Sequence, residues 1–169
     1  MKLLGSGTKM KRSYMWLGLF VGATVVVAKL SSKASARPQS LWYRLLSKPK
    51  GQPPAWVFGP VWAALYGAMS YSAYRVFTRP PSEERTRALR LWWTQLALNG
   101  AWSPLFFGAH RARWALADLV ALTGTVHAYA KAAAQVDRPA ALMMTPYLGW
   151  LGYAGYLNGG IVRRNLLLA

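Results

Sequence analysis

Charged residues divide this chain into long uncharged stretches. Residues 13–28 lie between Arg12 and Lys29, 51–74 between Lys50 and Arg75, 91–109 between Arg90 and the His110–Arg113 cluster, and 139–162 between Arg138 and Arg163. The stretch 114–130 holds one charge, Asp118, and stays apolar to residue 134. A helix that crosses the hydrocarbon core needs about 20 mostly apolar residues. Four stretches reach that length, and the first is extended by Lys29, whose stem lies along apolar surface while its head reaches water. Backbone in hydrocarbon must satisfy its own hydrogen bonds, so the spans are predicted as helices. No run shows the alternation of period two that a barrel strand requires. The pattern predicts an all-α, multi-pass integral membrane protein, a bundle of five transmembrane helices over about 13–30, 53–76, 90–109, 114–135 and 139–162. A basic extension, 1–12, precedes the bundle and a short tail, 163–169, follows it.

Local detail refines the spans. Pro60, Pro104 and Pro146 fall inside them, which membrane helices tolerate, usually with a kink. Small residues recur four apart in the pairs Gly18–Gly22, Ala63–Gly67 and Gly155–Gly159. Such pairs let helices approach closely; packing within the bundle is the preferred reading, with a homodimer seam as the alternative. The longest connection, 29–53, ends in LWYRLLSKPKGQPP. Its Leu41, Trp42, Leu45 and Leu46 form a short apolar face, the pattern of an interfacial helix or a lid over the bundle. Pro53 and Pro54 suit the first turn of the helix that follows. The first span also has the outline of a signal peptide, with a small-residue triplet at Ala34–Ala36, but its apolar stretch is long for a signal core, and a retained helix is expected.

Composition sharpens this picture. The chain is 54% hydrophobic and 15% charged, against roughly a quarter charged in soluble domains. Its 21 Lys and Arg outnumber Glu83, Glu84, Asp118 and Asp137, for a net charge of +17. The cations sit in short clusters between spans, where they meet headgroups, so nucleic acid is not expected as a partner. Five spans place the termini on opposite sides. The side of the N-terminus collects 11 Lys and Arg and the other side 10 (together the 21 of the chain), so the positive-inside rule assigns no orientation. There is no cysteine, which removes disulfides and thiolate metal sites.

Polar and aromatic side chains share faces of the predicted helices. Gln95, Asn99, Trp102 and Phe106 align on the third span, Trp62, Tyr66 and Met69 on the second, Trp114 and Asp118 on the fourth, and Tyr147, Trp150, Ala154 and Leu157 on the fifth. Polar residues in a span face the interior, and rings beside a few hydrogen-bonding groups suit a pocket for a flat, largely apolar ligand. The alternative is interior packing plus an aromatic belt. Trp16, Trp42, Trp56, Trp92, Trp93 and Trp114 lie near span ends, where a belt explains them; Trp62, Trp102 and Trp150 lie deeper. Asp118 is expected in the first turn of its helix or paired with Arg111 or Arg113. No nucleophile elbow, phosphate loop or carboxylate pair occurs, His110 and His127 lack a metal-ligand spacing, and no metal or required cofactor is expected.

Four blocks carry a resemblance to a known family. WYRLLSKPKGQPPAWVFGPVWAALYGAMSYSAY, QLALNGAWSPLFFGA, WALADL and PYLGWLGYAGYLN, together spanning Trp42–Asn158, resemble the signatures of the translocator protein family, also called tryptophan-rich sensory proteins or peripheral-type benzodiazepine receptors. The resemblance implies a five-helix membrane bundle with a ligand pocket beneath a long first loop acting as a lid. It implies binding of porphyrins such as protoporphyrin IX and haem, with sterols such as cholesterol and benzodiazepine-type ligands as further candidates. Carried over residue by residue, the pocket comprises Pro53, Trp62, Tyr66, Asn99, Trp102, Trp114, Trp150, Ala154 and Leu157. Some bacterial members promote light-driven porphyrin breakdown, attributed to two tryptophans matching Trp62 and Trp150, the candidate catalytic residues. A binding protein, a carrier of tetrapyrrole or cholesterol, a photo-oxidative enzyme and a ligand-controlled scaffold all use such a pocket. The family also implies a mitochondrial outer membrane, with other organelles or a bacterial membrane as alternatives. Two positions depart from vertebrate members: Gly100 replaces a tryptophan, and Gly159 replaces the tyrosine of a sterol-recognition stretch. The loose sterol pattern is met elsewhere, at Leu41–Tyr43–Lys48, Leu65–Tyr71–Arg75 and Val126–Tyr129–Lys131.

Overall fold

The computed structural model describes the backbone of residues 4–35 and 41–166 and the side chains of 14–34 and 41–166. Five long helices dominate: α1 (Leu4–Ser35), α3 (Ala55–Phe77), α4 (Glu83–Ser103), α5 (Ala112–Val136) and α7 (Thr145–Arg164). Two single-turn helices, α2 (Leu41–Leu45) and α6 (Arg138–Leu142), sit in the connections, and there is no strand among the described residues. The side chains of the basic extension and part of the Ala34–Ala36 triplet lie outside the described residues.

Proline and capping chemistry set the breaks. Ser82 caps α4, its hydroxyl accepting from the Arg85 N–H at 3.1 Å, with Glu83 and Glu84 in the first turn. Pro53 and Pro54 lie just ahead of α3 rather than in its first turn; Pro54 occupies the cap position. At Pro104 the α4 ladder loses a donor, and the chain widens into a π-helical turn, Pro104–Gly108. The Ala109 N–H then reaches the Pro104 carbonyl at 2.8 Å, and His110 turns left-handed at φ 56°. The last uncharged stretch is not one continuous helix: α6 ends at Leu142 and α7 restarts at Thr145, with Pro146 offering no N–H to join the two.

α4 packs along α5, α5 against α7, and α1 against α3 and α4. The core they enclose includes Met69, Trp92, Leu122, Tyr129, Met144 and Tyr147, all fully buried. Trp92 does not belong to an aromatic belt. Its indole N–H donates to the Met69 carbonyl at 3.0 Å and its ring meets Phe20 edge-on at 5.0 Å. α1 is tied to α3 by the Thr24 and Ser70 hydroxyls, 2.9 Å apart.

The small-residue pairs do not make the close approaches expected of them. A Cβ added at Gly18, Gly22, Gly67, Gly155 or Gly159 would meet nothing within 4 Å, and Ala63 is exposed. Close approach occurs at two other glycines. A Cβ on Gly100 would stand 3.3 Å from Val27 of α1, and one on Gly160 would stand 2.8 Å from the Pro49 ring. Spacing alone defines the sequence pairs, whereas the contacts depend on where neighbouring elements cross.

By length and mean hydropathy, Tyr14–Ala34 is the one stretch among the described residues apolar enough to cross a membrane. The other four long helices carry Trp, Tyr, amide and Arg side chains that lower their mean hydropathy.

Candidate functional site

Asn99 on α4 sits between two phenols. The Tyr66 hydroxyl of α3 donates to Asn99 Oδ1 at 2.8 Å, and Asn99 Nδ2 donates to the Tyr147 hydroxyl of α7 at 2.7 Å. One amide therefore joins three helices at the bundle centre, where a polar group without a partner costs several kcal/mol. Rings surround this link. Trp62 stacks on Tyr66 at 5.2 Å and meets Tyr147 and Trp150 edge-on at 6.2 and 6.3 Å. Phe58 and Tyr153 also pack on Trp150, at 5.9 and 5.7 Å. The rings touch one another, so a flat ligand entering here would exchange ring–ring contacts for ring–ligand contacts.

A second aromatic group lies toward the π turn. Trp102 stacks on Phe106 at 5.0 Å and meets Phe107 edge-on at 5.9 Å. Trp42 of α2 covers Phe106 and stacks on His110 at 4.6 Å. Phe106 and Phe107, both in the π turn, meet edge-on at 4.8 Å and join this group. The apolar face of α2 splits: Leu46 is buried and Trp42 half-buried, whereas Leu41 and Leu45 are exposed.

The loop after α2 lies across α7. Asn165 clasps Ser47, its Oδ1 accepting from the Ser47 N–H and its Nδ2 donating to the Ser47 carbonyl, both at 2.8 Å. Tyr153 donates to the Gly51 carbonyl, Tyr156 donates to the Lys50 carbonyl at 3.2 Å, and Pro49 fills the notch at Gly160.

Of the nine pocket residues expected from the sequence, Trp62, Tyr66, Asn99 and Trp150 come together. Ala154 packs against the same core, and Trp102 bridges that core to the second aromatic group. Pro53 and Leu157 are half-buried. Trp114 stands apart, 63% exposed on α5. Tyr147, absent from that set, completes the Asn99 link; its spacing of three from Trp150 was the signal available. Gln95, one turn before Asn99, is fully buried with neither amide atom partnered, and Trp102 Nε1 and Asp118 Oδ2 are likewise buried and unpartnered. Asp118 is the seventh residue of α5, beyond the first turn where a helix dipole acts. The ion pairs among the described residues run to Asp137, not from Asp118 to Arg111 or Arg113. Arg113 instead donates to the Leu166 carbonyl. No group of three or more His, Asp or Glu suited to a metal occurs among the described residues.

Of the three loose sterol patterns, Val126–Tyr129–Lys131 does not form a surface. Tyr129 is fully buried, 2.7 Å from the Ser72 hydroxyl.

A model of the TspO/MBR family matches residues 17–164 of this chain. The translocator protein of Bos taurus is 46% identical over 119 residues, covering 69% of this chain and 70% of its own. That of Homo sapiens is 44% identical over 126 residues, covering 73% and 75%. The tryptophan-rich protein TspO of Chlorobaculum tepidum is 34% identical over 157 residues, covering 92% and 99%.

Proposed function

This chain belongs to the TspO/MBR family, a family of five-span membrane bundles, and we propose that it binds porphyrins such as protoporphyrin IX and haem among the rings around Asn99. The observation that supports this reading is the Tyr66–Asn99–Tyr147 link set against Trp62 and Trp150. It pairs broad stacking surface with hydrogen-bonding groups from three helices, the combination a flat amphipathic macrocycle requires. Pro53, Trp102, Trp114, Ala154 and Leu157 extend the proposed contact surface. The buried and unpartnered Trp102 Nε1 and Asp118 Oδ2 are polar groups for a bound ligand to satisfy. Sterols and benzodiazepine-type ligands are secondary candidates, and the proposed location is the mitochondrial outer membrane.

Titrating protoporphyrin IX into the purified protein should quench its tryptophan fluorescence saturably. Absence of quenching by protoporphyrin and haem in a folded protein would reject the reading. A second reading, light-driven porphyrin breakdown, is favoured by the edge-to-face contact of Trp62 and Trp150, two oxidisable indoles at one site. Replacing either with Phe should cost affinity by about 0.5–1.5 kcal/mol, the increment of an aromatic contact. If the indoles supply electrons to photoexcited porphyrin, Phe should also abolish decay of the Soret band under illumination. Equal decay in wild type, both variants and detergent alone leaves a binding protein.

A further inference from the structure

A groove of about 380 Å³ runs between the N-terminal half of α4 and the C-terminal half of α5, its residues twelve or more along the chain from Asn99 and Tyr147. Its floor is made by Ala128 and Ala132, and its walls carry Arg87, His127, Lys131 and Gln135, with Glu84 on the rim. His127, Lys131 and Gln135 are four apart and so stack along one face of α5. Arg87 faces them from antiparallel α4.

Three observations converge. Arg87 and Lys131 are exposed, and neither is in an ion pair; the ion pairs among the described residues all run to Asp137. With Glu84 as the one carboxylate in the lining, the groove keeps a net charge of +1 from Arg87 and Lys131 (two cations less one anion), which favours a further anion between the two cations. Depth supplies the second observation. His127 lies nine residues before the end of α5, about 14 Å along the axis, and Lys131 about 8 Å, at 1.5 Å per residue. Both are on the outer surface, so the groove descends from the headgroup level toward acyl chains. Third, Ala128, about 12 Å from the end of α5, gives the groove an apolar floor deeper than Lys131, with room for a chain-bearing group.

We propose that this groove binds the phosphate of an anionic phospholipid in the leaflet at the α4 N-terminal end. Arg87 and Lys131 flank the phosphate, Gln135 one turn nearer the helix end offers a further hydrogen bond, and the glycerol and acyl chains lie over Ala128, deeper along α5 beside His127. A free phosphate shares the charge but has no use for the apolar floor or the membrane-level depth.

The test uses the full chain in detergent, with native mass spectrometry of added phosphatidylglycerol and phosphatidylcholine. The wild type should retain one phosphatidylglycerol more tightly than phosphatidylcholine. Arg87→Gln/Lys131→Gln should weaken that retention roughly tenfold or more, two interfacial cations being lost. Arg163→Gln/Arg164→Gln, at the far end of α7, should leave it unchanged. Arg87→Lys/Lys131→Arg should retain the lipid, and Ala128→Phe should lose it with every charge in place. Equal retention by wild type and the double Gln variant, or equal retention of both lipids, overturns the proposal. So does displacement of the lipid by millimolar inorganic phosphate. The protoporphyrin titration does not depend on this groove, so failure of either proposal leaves the other standing.

Discussion

Asn99 uses both ends of its amide, and its replacement separates structure from ligand contact. In Asn99→Leu, the Tyr66 and Tyr147 hydroxyls both lose a partner. Porphyrin affinity should fall by about 1–2 kcal/mol, the order of a hydrogen bond between membrane helices, read from fluorescence quenching. Tyr147→Phe removes one of the two bonds and should fall between wild type and Asn99→Leu; unchanged affinity in both folded variants would make the link mere packing. The amide stripe itself was visible in the sequence, because residues four apart share a helix face. Its partners were not, since they come from helices 33 and 48 residues away and depend on how those helices rotate. The same limit explains Trp92. Position along the chain placed it near a span end, whereas rotation about the α4 axis turned its ring into the core.

At the element scale, Asp137 joins three pieces of chain. Its side chain caps α6, accepting from the Ala140 N–H at 3.0 Å, and receives Arg75 and Arg79 from the end of α3. Burial alone would push this carboxyl up, but Arg75, the Ala140 N–H and Arg79 outweigh it and hold Asp137 below the usual carboxylate range. Its native pKa is therefore depressed, so its contribution to stability is complete above the ordinary value of about 3.9 and is lost as pH falls through the lower native value. Asp137→Asn should cost about 1.5–3 kcal/mol at neutral pH, and thermal melts of variant and wild type should converge as the pH falls through the depressed native value of Asp137. The first-loop clasp makes a second prediction. Asn165→Ala or Gly160→Leu should free the 46–51 segment and raise the rate of tryptic cleavage after Lys50 several-fold, with α-helical circular dichroism unchanged. Equal cleavage rates would mean that the loop is held by α2 alone. Helix positions followed from charge gaps and prolines. The loop's seat did not, because it rests on a proline fitting a glycine notch 111 residues away, which no local pattern encodes.

Across the whole molecule, the five long helices place the N-terminus and C-terminus on opposite faces of the membrane. Tags at the two ends, probed by protease in sealed vesicles, should differ in accessibility; matching accessibility would contradict the odd number of crossings. This level of description was legible from the charge pattern, since lipid forces regular backbone over each uncharged run. The Ser47–Asn165 clasp has a further consequence, for the order of assembly. It joins residues 118 apart in the chain, and ribosomes add about 5–20 residues per second. The loop therefore waits roughly 6–24 s after synthesis for its partner to exist. During that interval the four long helices α3, α4, α5 and α7 are synthesised while the loop has no partner to close on. Closure is a late act of biogenesis, timed by the emergence of the final turn of α7, and a chain halted before Asn165 would carry the rings without their fastening.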